Sequence, residues 1–494
     1  MIRSGMLTVG FVTLGIAAFS QQAPIEMQNR RELFIDNAII ASQIDVETRL
    51  STPVSGGVAV KFDKPWEGSF CAYVSIVNDG KKFRMYYRGV GAHQKAVDQV
   101  TCYAESTDGI NWTKPDLGLF SINGSTQNNV VHTSDSLKQT THNFAVFYDG
   151  RPGVPAAERY KAVGGVYSTA KVKRGLYRYV SPDGLHWSTF KDPTPLFGDG
   201  YGMDSQNVPA WVPAENCYAI YLRMWTQDKP GDKKLLKGIR TIARSTSKDF
   251  IHWTEPVPMS FGNTPMENLY TNATQAYFRA PQIMISMPFR FSPDSRILTD
   301  DEMKTYGISP SMWQGVSDAV LLTSRGGNVY DRKFLESFAR PGLDQRNWAA
   351  RSSIPALGVI PTGENEMSFF LTRAYGTKDC YLERMVLRKD GFASLHAKYH
   401  EGYAITKPML LKGEMLNINY SSSSIGYVKV VLLGADGREI PGFGEADAIK
   451  LTGDKIDYKV AWKSGKQITN LANTPVQIKF ILRDADLYSF GVFN

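Results

Sequence analysis

One sequence motif recurs along the chain and constrains its fold more than any other feature. A run of alternating side chains leads into a Ser or Arg, then into Asp-Gly or an equivalent tight turn, and then into an aromatic residue. Asp-Gly between two alternating runs is a strong β-hairpin signal, because the turn needs positive φ angles. The copies span Tyr103–Pro115, Tyr177–Thr189, Ile242–Pro256, Leu321–Arg332 and Met385–Leu395. The motif therefore predicts five hairpins.

The aromatic anchors of these hairpins return roughly every 70 residues, which is enough chain for a four-stranded unit with long loops. They are Trp112, Trp187, Trp253, Tyr330 and Phe392. Each hairpin follows a second alternating run that is rich in aromatic residues, and a shorter run comes before that one. A single such unit cannot bury both of its faces, but five units around an axis can. The pattern predicts an all-β fold with a five-bladed β-propeller.

The pattern changes near His396. From there to the C-terminus, strand-like runs follow one another at a spacing of roughly 8–12 residues, which predicts a β-sandwich. We expect a signal peptide at 1–20, the propeller at 21–395 and the sandwich at 396–494. Residues Arg31–Arg49 are expected to form a strand that joins an outer or closing blade.

Composition limits the choice of partners. Of the 494 residues, 43% are hydrophobic and 21% are charged, which excludes a disordered chain. The net charge of +8 is scattered and has no dense Lys/Arg run, so no nucleic acid partner is predicted, whereas a basic surface suits an anionic glycan. Arg3, the apolar run Met6–Phe19 and a cleavage point after Ser20 indicate a secretory signal. We therefore expect a secreted or periplasmic protein with no membrane insertion.

Four cysteines are too dispersed for a zinc site. They are Cys71, Cys102, Cys217 and Cys380. Three disulfide connectivities are open to them in an oxidising compartment, and four buried thiols are the alternative. No cofactor or catalytic metal is predicted, although the supply of acids and amides is compatible with a structural Ca²⁺ in the axial channel.

The chain resembles a family of bacterial exported proteins described as β-propeller glycoside hydrolase-like, related at fold level to glycoside hydrolase families 32 and 43. The propeller segments with this resemblance are RELFIDNAII, FRMYYRG, YAESTDGINWTKPDLGL, DSQN, ENLYTNA, SDAVLLTSR and ARPGLDQRNWAAR. The C-terminal runs PGFGEADAIKLTGDKIDYKVAWKSG and VQIKFILRDADLYSF resemble the sandwich that often follows such propellers. The resemblance implies a fold, but it leaves the activity open because fold does not fix function. The chain has no NDPNG, RDP or EC tract of the family 32 kind, so fructan hydrolysis is not implied.

Catalysis in such a fold would take place where the innermost strands begin, because their starts line one central pocket. Cleavage of a glycosidic bond needs one protonated and one ionised carboxyl group. We assign Asp204 as base or nucleophile and Glu267 as general acid, with Glu67 or Asp318 as a third carboxylate that tunes them. In the alternative interpretation, these acids cap strand ends or form ion pairs between blades.

Other polar and aromatic residues at the same ends are candidates for substrate contacts. They are His142, Asn143, Gln206, Asn207, Asn268, Tyr270, Trp225, Arg290, Trp313 and Arg351. Amides and His142 would bind hydroxyl groups, and the aromatic rings would stack on sugar faces. Arg290 and Arg351 would bind an anionic substituent. A lone histidine at a strand start is also a common structural donor.

These features favour an exported glycoside hydrolase that acts on a poly- or oligosaccharide with a pair of carboxylates. A carbohydrate-binding propeller without catalysis is the main alternative. A lyase or phosphorylase on the same scaffold would need a base such as His142 together with Arg351. Signatures of serine hydrolases, zinc proteases, P-loops and dinucleotide sites are absent from the sequence.

Overall fold

The computed structural model describes residues 23–91, 99–133, 142–165, 173–191, 194–229, 231 and 237–494. The expected signal peptide, residues 1–20, lies outside the described residues. Nearly all regular structure is β-strand, which confirms the all-β fold class. No helix among the described residues is long and apolar enough to cross a membrane.

Five short strands open the described chain. They are β1 (Ile25–Glu26), β2 (Arg30–Leu33), β3 (Ile40–Ile44), β4 (Glu47–Leu50) and β5 (Val54–Lys61). Strand β1 pairs in parallel with a strand far along the chain, and the other four also find their partners near the C-terminal end.

Three four-stranded sheets follow, each built from consecutive antiparallel strands. Sheet 1 contains β6 (Ala72–Asn78), β7 (Phe83–Val90), β8 (Gln99–Ser106) and β9 (Val130–Thr133). Sheet 2 contains β10 (Ala145–Tyr148), β11 (Tyr160–Gly164), β12 (Tyr177–Ser181) and β13 (Ser188–Thr189). Sheet 3 contains β14 (Val208–Val212), β15 (Cys217–Trp225), β16 (Arg240–Ser247) and β17 (Val257–Pro258). The first strands coincide with the short runs that the sequence places ahead of each hairpin.

The fourth unit is split into two three-stranded halves, together called sheet 4. Its strands are β18 (Asn268–Leu269), β19 (Gln275–Tyr277), β20 (Ala280–Ser286), β21 (Phe289–Ser292), β22 (Val316–Ala319) and β23 (Leu322–Ser324). One half has the order β18-β21-β22 and the other has the order β19-β20-β23. Pro288 lies between β20 and β21 and has no backbone N–H to donate, which explains the break. The helix α1 (Asp300–Thr305) lies between β21 and β22.

Sheet 5 ends the series and takes its outermost strand from the N-terminal region. It contains β24 (Ile354–Pro355), β25 (Ile360–Pro361), β26 (Glu366–Arg373) and β27 (Tyr381–Arg388), with β5 paired to β27. First strands of neighbouring sheets contact one another from β6 to β10 and from β10 to β14, and β14 contacts β19. Sheet 4 then contacts β24 through β22, and β24 contacts β6, so the series returns to its beginning.

A cavity of about 390 Å³ lies at the C-terminal ends of the first strands. Its walls include Ile76, Val146, Ala210, Ala276 and Val359, from sheets 1 to 5 in turn. All five sheets therefore contribute to the walls of one cavity at this end.

Five of the remaining strands form one eight-stranded sheet with β2, β3 and β4. They are β28 (Ala393–Ala397), β29 (Gly402–Thr406), β31 (Met415–Leu433), β32 (Asp454–Lys459) and β33 (Gln477–Phe493). Strand β30 (Met409–Leu410) lies outside this sheet and pairs with β1, and its Met409 also forms an antiparallel bridge to Val476. The expectation that Arg31–Arg49 joins a blade is wrong, because β2 pairs with β33, β3 with β29 and β4 with β28. Alternation alone does not identify the partner of a strand, and the partners of this segment lie roughly 350 or more residues further along the chain.

Hairpins predicted at Asp108, Asp183 and Asp249 are confirmed. The first turn is closed by an antiparallel bridge between Glu105 and Thr113, the second joins β12 to β13, and a 3.0 Å backbone hydrogen bond closes the third. The fourth, within Leu321–Arg332, is closed by an antiparallel bridge between Thr323 and Asp331.

The hairpin predicted at Met385–Leu395 is wrong. There, β27 stays in sheet 5, whereas β28 pairs with β4 and β33.

The four cysteines are all free and buried, which excludes the disulfide alternative and agrees with four buried thiols.

Candidate functional site

Hydrogen bonds that cross from sheet to sheet tie the starts of the first strands together. The Ser205 hydroxyl donates to the backbone oxygen of Tyr270 at 2.8 Å, which joins sheet 3 to sheet 4. The Gln206 side-chain amide donates to the backbone oxygen of Tyr73 at 2.9 Å, which joins sheet 3 to sheet 1. Both donors are buried. The strand starts therefore share a common space, opposite the cavity described above.

We call this space the cup. It is defined by Tyr73, Arg88, His142, Asp204, Arg223, Arg240, Tyr270, Arg351 and Tyr375. These residues come from all five sheets or from the loops that lead into them.

Asp204 and His142 form the ionisable centre of the cup. The His142 Nε2 atom lies 2.9 Å from Asp204 Oδ1 and 2.8 Å from Asn143 Nδ2. On the other side of the ring, Nδ1 lies 2.9 Å from Gln99 Oε1. The Asp204 side chain is 41% exposed, whereas the His142 side chain is 4% exposed. A ligand in the cup can therefore reach the carboxylate, and the imidazole behind it is held by three neighbours.

Burial lowers the pKa of His142, and the nearby guanidinium groups of Arg88 and Arg223 lower it further. The hydrogen bond to Asp204 and the charge of that carboxylate act in the opposite direction without outweighing burial. His142 is therefore neutral at neutral pH, and its Nε2 atom is in contact with the Asp204 carboxylate.

Arginines bring positive charge into the cup. Arg88 and Arg223 are only 8% and 3% exposed, and Arg240 and Arg351 are half-buried. Burial lowers the pKa of Arg240, and the like charges of Arg223 and Arg351 lower it further. These effects outweigh the neighbouring Tyr270 and Asp204, which act to raise it. The guanidinium groups are therefore close enough to repel one another.

Tyrosines and a tryptophan provide the walls between these charges. The Arg88 guanidinium carbon lies 4.5 Å from the centre of the Tyr73 ring, and Arg88 also donates to the Tyr375 hydroxyl at 2.8 Å. The Arg240 guanidinium carbon lies 4.2 Å from the Trp225 ring and 5.1 Å from the Tyr270 ring. Such contacts orient a guanidinium group while leaving its edge available for a ligand.

Three cup residues or their neighbours adopt left-handed backbone conformations. Tyr73, Asn143 and Arg351 have φ angles of 56°, 52° and 61°. This conformation is unfavourable for residues with a side chain and tends to cluster at functional sites. It occurs here at the entry to sheets 1, 2 and 5.

Glu267 and Asp318 lie in an ion-pair cluster. Arg290 binds Asp318 through two hydrogen bonds of 2.6 and 3.0 Å and reaches Glu267 at 3.2 Å. Arg332 forms a second ion pair with Glu267. Arg290 bridges the two carboxylates within sheet 4, whereas the alternative in the sequence interpretation has ion pairs between blades.

Glu67 is fully buried. Its carboxylate accepts hydrogen bonds from the Tyr87 hydroxyl at 2.7 Å, from Lys114 Nζ at 2.8 Å and from the backbone N–H of Lys64 at 2.9 Å. These contacts occupy the carboxylate oxygens, and Lys114 balances their charge. A ligand therefore cannot bind to Glu67.

Several amides and one aromatic residue of the predicted set hold the structure around the cup. Gln206 and Asn207 are buried, and Asn207 donates to the backbone oxygens of Met203 and Ser205. The indole of Trp313 donates to the backbone oxygen of Ile308 at 2.9 Å. Asn268 acts through an arginine instead: its Oδ1 accepts from the Arg240 backbone N–H at 3.1 Å. The structure brings Tyr270, Trp225 and Asn268 together around Arg240.

Sequence reasoning missed Tyr73, Arg88, Arg223, Arg240 and Tyr375. A signal for two of them existed, since an arginine recurs near the end of the second strand of four sheets. These arginines are Arg88, Arg223, Arg290 and Arg373. A charged residue at the same place in otherwise apolar strands indicates that this end of the strand faces polar surroundings.

No group of three or more His, Cys, Asp or Glu side chains placed to hold a metal ion occurs in the described parts of the chain.

No family model matches the sequence, and no curated protein matches it. Solved structures of glycoside hydrolase-like proteins do resemble the chain. One is a complex of BT0996 and RGII, at 11% identity and a TM-score of 0.45, covering 68% of this chain and 92% of that one. Another comes from the GH130 family of mannoside phosphorylases. That family contains glycoside hydrolases that target beta-1,2 mannosidic linkages in Candida mannan. This second structure has 13% identity and a TM-score of 0.40, and covers 72% of this chain and 94% of that one.

The exo-beta-1,3-galactanase of Phanerochaete chrysosporium is also similar. It has 10% identity and a TM-score of 0.37, and covers 89% of this chain and 99% of its own. At these identities and TM-scores, the likenesses assign no activity to the cup.

Proposed function

We propose that sheets 1 to 5 are the blades of a five-bladed β-propeller and that the eight-stranded sheet folds over into a β-sandwich. Support comes from the closed series of first strands and from the two long strands β31 and β33, which pair along most of their length. The domains are a signal peptide at 1–20, a propeller at 21–395 and a sandwich at 396–494, with β2–β4 contributed to the sandwich from the N-terminal side.

On this architecture the chain is an exported glycoside hydrolase that cleaves a poly- or oligosaccharide in the cup. One observation carries the proposal: a partly exposed carboxylate, Asp204, contacts a buried imidazole, His142, where five sheets converge. Acid–base chemistry on a glycosidic bond needs an ionisable pair that the ligand can reach.

Asp204 is the base or nucleophile of this proposal. Glu267 is the general acid of the sequence-based assignment, but its ion pairs with Arg290 and Arg332 favour an ionised group, and a proton donor must be protonated. The contact between Asp204 and His142 offers a second arrangement, in which Asp204 holds the proton as a carboxylic acid in contact with His142 Nε2 and donates it to the leaving oxygen in place of Glu267. Glu67 and Asp318 affect the proposed catalytic groups only through their charges.

The test compares Asp204→Asn and Glu267→Gln on a glycan that the wild-type protein cleaves, found by screening a polysaccharide panel. We expect Asp204→Asn to lower kcat by about 100-fold or more, because a group used in proton transfer or attack is lost. Glu364→Gln is the matched control, since Glu364 is an exposed turn residue. It should retain wild-type turnover.

Full turnover by Asp204→Asn would overturn the proposal. If Glu267→Gln keeps its activity while Asp204→Asn and His142→Asn lose theirs, the proton donor is the pair and not Glu267. Melting temperatures within about 2 °C of wild type would show that each variant is folded.

A carbohydrate-binding propeller without catalysis is the second candidate. It is favoured by the arginine contacts of Glu267 and Asp318 and by the burial of Glu67, which leave Asp204 as the carboxylate that the described cup presents. Calorimetric binding of a glycan with no release of product over a day would support it over hydrolysis.

A further inference from the structure

Arg223, Arg240 and Arg351 form one group of positive charges in the cup. The guanidinium carbons of Arg223 and Arg240 lie 4.9 and 5.1 Å from the centre of the Tyr270 ring. Arg351 lies in the loop that leads into β24, and its charge acts on Arg240. We call these three residues the arginine cluster.

The cluster has no close ion-pair partner among the described residues, although the charge of Asp204 acts on Arg240 and Arg351 from a greater distance. Across the described residues, neither these three arginines nor Arg88 forms an ion pair with a carboxylate, whereas Arg290 nearby binds two. Their hydrogen bonds go to neutral acceptors. Arg223 Nε donates to a backbone oxygen at 2.7 Å, Arg240 donates to Asn268 Oδ1 at 3.3 Å, and Arg351 makes one long bond of 3.5 Å.

Some of the donor groups are unused. The Nε atom of Arg240 is buried and has no hydrogen-bond partner among the described residues. An arginine presents five N–H donors in a fixed fork, and each buried donor left without a partner costs free energy. Arg240 and Arg351 therefore retain donor capacity that a ligand can use.

The balance of charges in the cup also favours an anionic ligand. Arg88 and the three cluster residues supply four positive charges, and Asp204 supplies one negative charge, while burial keeps His142 neutral. Like charges held close together in a partly desolvated space repel one another unless an anion enters. Positive charge concentrated in a cleft also attracts anions from solution.

We propose that the arginine cluster binds an anionic group on the sugar, either the carboxylate of a uronic acid or a sulfate ester. The guanidinium groups of Arg240 and Arg351 donate the hydrogen bonds to this anionic group, and Arg223 supplies a third positive charge. Planar guanidinium groups match the two oxygens of a carboxylate or sulfate in bidentate hydrogen bonds. The inference rests on the proposed function for the identity of the ligand as a sugar. It adds which class of sugar binds and which residues select it.

The experiment measures binding apart from turnover, in the Asp204→Asn background. The probes are an oligogalacturonate, a sulfated galactan oligosaccharide and a neutral galacto-oligosaccharide of equal length, titrated by calorimetry at low ionic strength. We expect at least one charged probe to bind more than about 10-fold tighter than the neutral one, and the preference to shrink at high salt. Which charged probe binds distinguishes carboxylate from sulfate.

Two substitutions then locate the subsite. Arg351→Asn removes the guanidinium and keeps a residue that tolerates the φ angle of 61°. Arg240→Lys keeps the positive charge but loses the planar guanidinium group that lies over Trp225. We expect each to weaken the charged probe by about 10-fold and to leave the neutral probe within about 2-fold. Arg438→Gln, a change at an arginine whose side chain is 89% exposed, is the control and should bind as the parent does.

Equal affinity for charged and neutral probes, or an equal loss for all probes in both variants, would overturn the inference. If the wild-type protein hydrolyses neutral glycans and no charged probe binds, the inference fails and the proposed function stands. If no glycan binds or is cleaved, both fail. Should Arg240→Lys not fold, Arg351→Asn decides alone.

Discussion

Two histidines illustrate how burial changes the chemistry of a single residue. His132 in sheet 1 packs against the Phe144 and Tyr179 rings, with centroids 5.1 and 5.2 Å away. Burial lowers the pKa of His132 to about 3 and also lowers that of His142. Both residues are therefore neutral in the folded protein at a pH where the unfolded chain would protonate them.

This difference predicts that the free energy of unfolding falls as the pH is lowered. A histidine whose folded pKa is depressed stabilises the fold fully above its unfolded value, near pH 6.5, and that contribution is lost as the pH falls toward the folded pKa. For His132 the window runs from about pH 6.5 down to about pH 3. The slope is at most about 1.4 kcal/mol per pH unit for each histidine.

Urea unfolding at pH 7, 6 and 5 measures the effect. His132→Phe keeps an aromatic ring between the same neighbours and should flatten the pH dependence. His400→Asn, at an exposed position, should leave it unchanged. An unaltered slope in His132→Phe would contradict the assignment of this pH dependence to His132.

At the scale of the element, the recurring hairpin turns are held by one serine and one aspartate. In the first copy, Ser106 Oγ accepts from the Gly109 N–H at 2.8 Å, and Asp108 Oδ1 accepts from the N–H groups of Ile110 and Asn111 at 2.8 Å each. The copies at Asp183 and Asp249 repeat the arrangement. The side chains thus satisfy backbone donors that the tight turn leaves without strand partners.

Asp108→Ala removes these acceptors and should lower the free energy of unfolding by about 1–2 kcal/mol, the usual cost of losing an aspartate that caps backbone N–H groups. Chemical denaturation monitored by tryptophan fluorescence is the measurement. Asp294→Ala, in an exposed turn, is the control and should change stability by less than about 0.5 kcal/mol. Equal stabilities of the two variants would show that the turn network contributes little.

The third turn departs from the Asp-Gly rule. Phe250 occupies the left-handed position with φ of 66°, where the first two turns have Gly109 and Gly184 at 71° and 76°. The Phe250 ring is fully buried and packs against Phe190, with centroids 5.6 Å apart. Packing of the ring offsets the backbone strain, which a local rule about turn residues does not include.

At the scale of the whole molecule, the N-terminal segment joins both parts of the chain. Strands β2–β4 pair within the C-terminal sheet, and β5 completes sheet 5. A buried ion pair of 3.3 Å between Arg31 and Asp390 lies where the two parts meet, and the Tyr277 hydroxyl also donates to Asp390, at 2.8 Å. The two parts are therefore coupled through strands distant in sequence.

This coupling predicts the behaviour of shortened chains. A chain of residues 23–391 keeps β2–β4 but loses their partners, so the backbone edges of three unpaired strands and the buried side chains of β2 are exposed, and we expect aggregation. A chain of residues 51–391 lacks those strands and should stay soluble to a greater extent. Size-exclusion chromatography and thermal unfolding compare the two with the full chain. A monomeric 23–391 chain that unfolds as cooperatively as the full protein would contradict the coupling.

The strands and tight turns could largely be predicted from the sequence alone. Alternation of side chains located the first strands, and the recurring turn motif located four of the five predicted hairpins, because both signals arise within a few residues. The motif is Ser-x-Asp-Gly in the first two copies, with Phe250 in place of Gly in the third and Gly326-Gly327 in the fourth. The sequence also identified the ends of the strands where Asp204 and His142 are found. The fifth hairpin was mistaken because Asp390-Gly391 has the same local form, yet leads the chain into another sheet.

Which charged side chains pair with one another depends on the tertiary fold and could not be predicted from the sequence. Glu267 faces Arg290 and Arg332, Glu67 faces Lys114, and Asp204 faces His142, although nothing within the neighbouring sequence distinguishes these three acids. Such pairings join residues tens of positions apart, and their energies depend on burial and on every charge nearby, which are set once the sheets have closed. For the same reason the arginine cluster could not be identified from spacing: its members enter the cup from separate strands and loops.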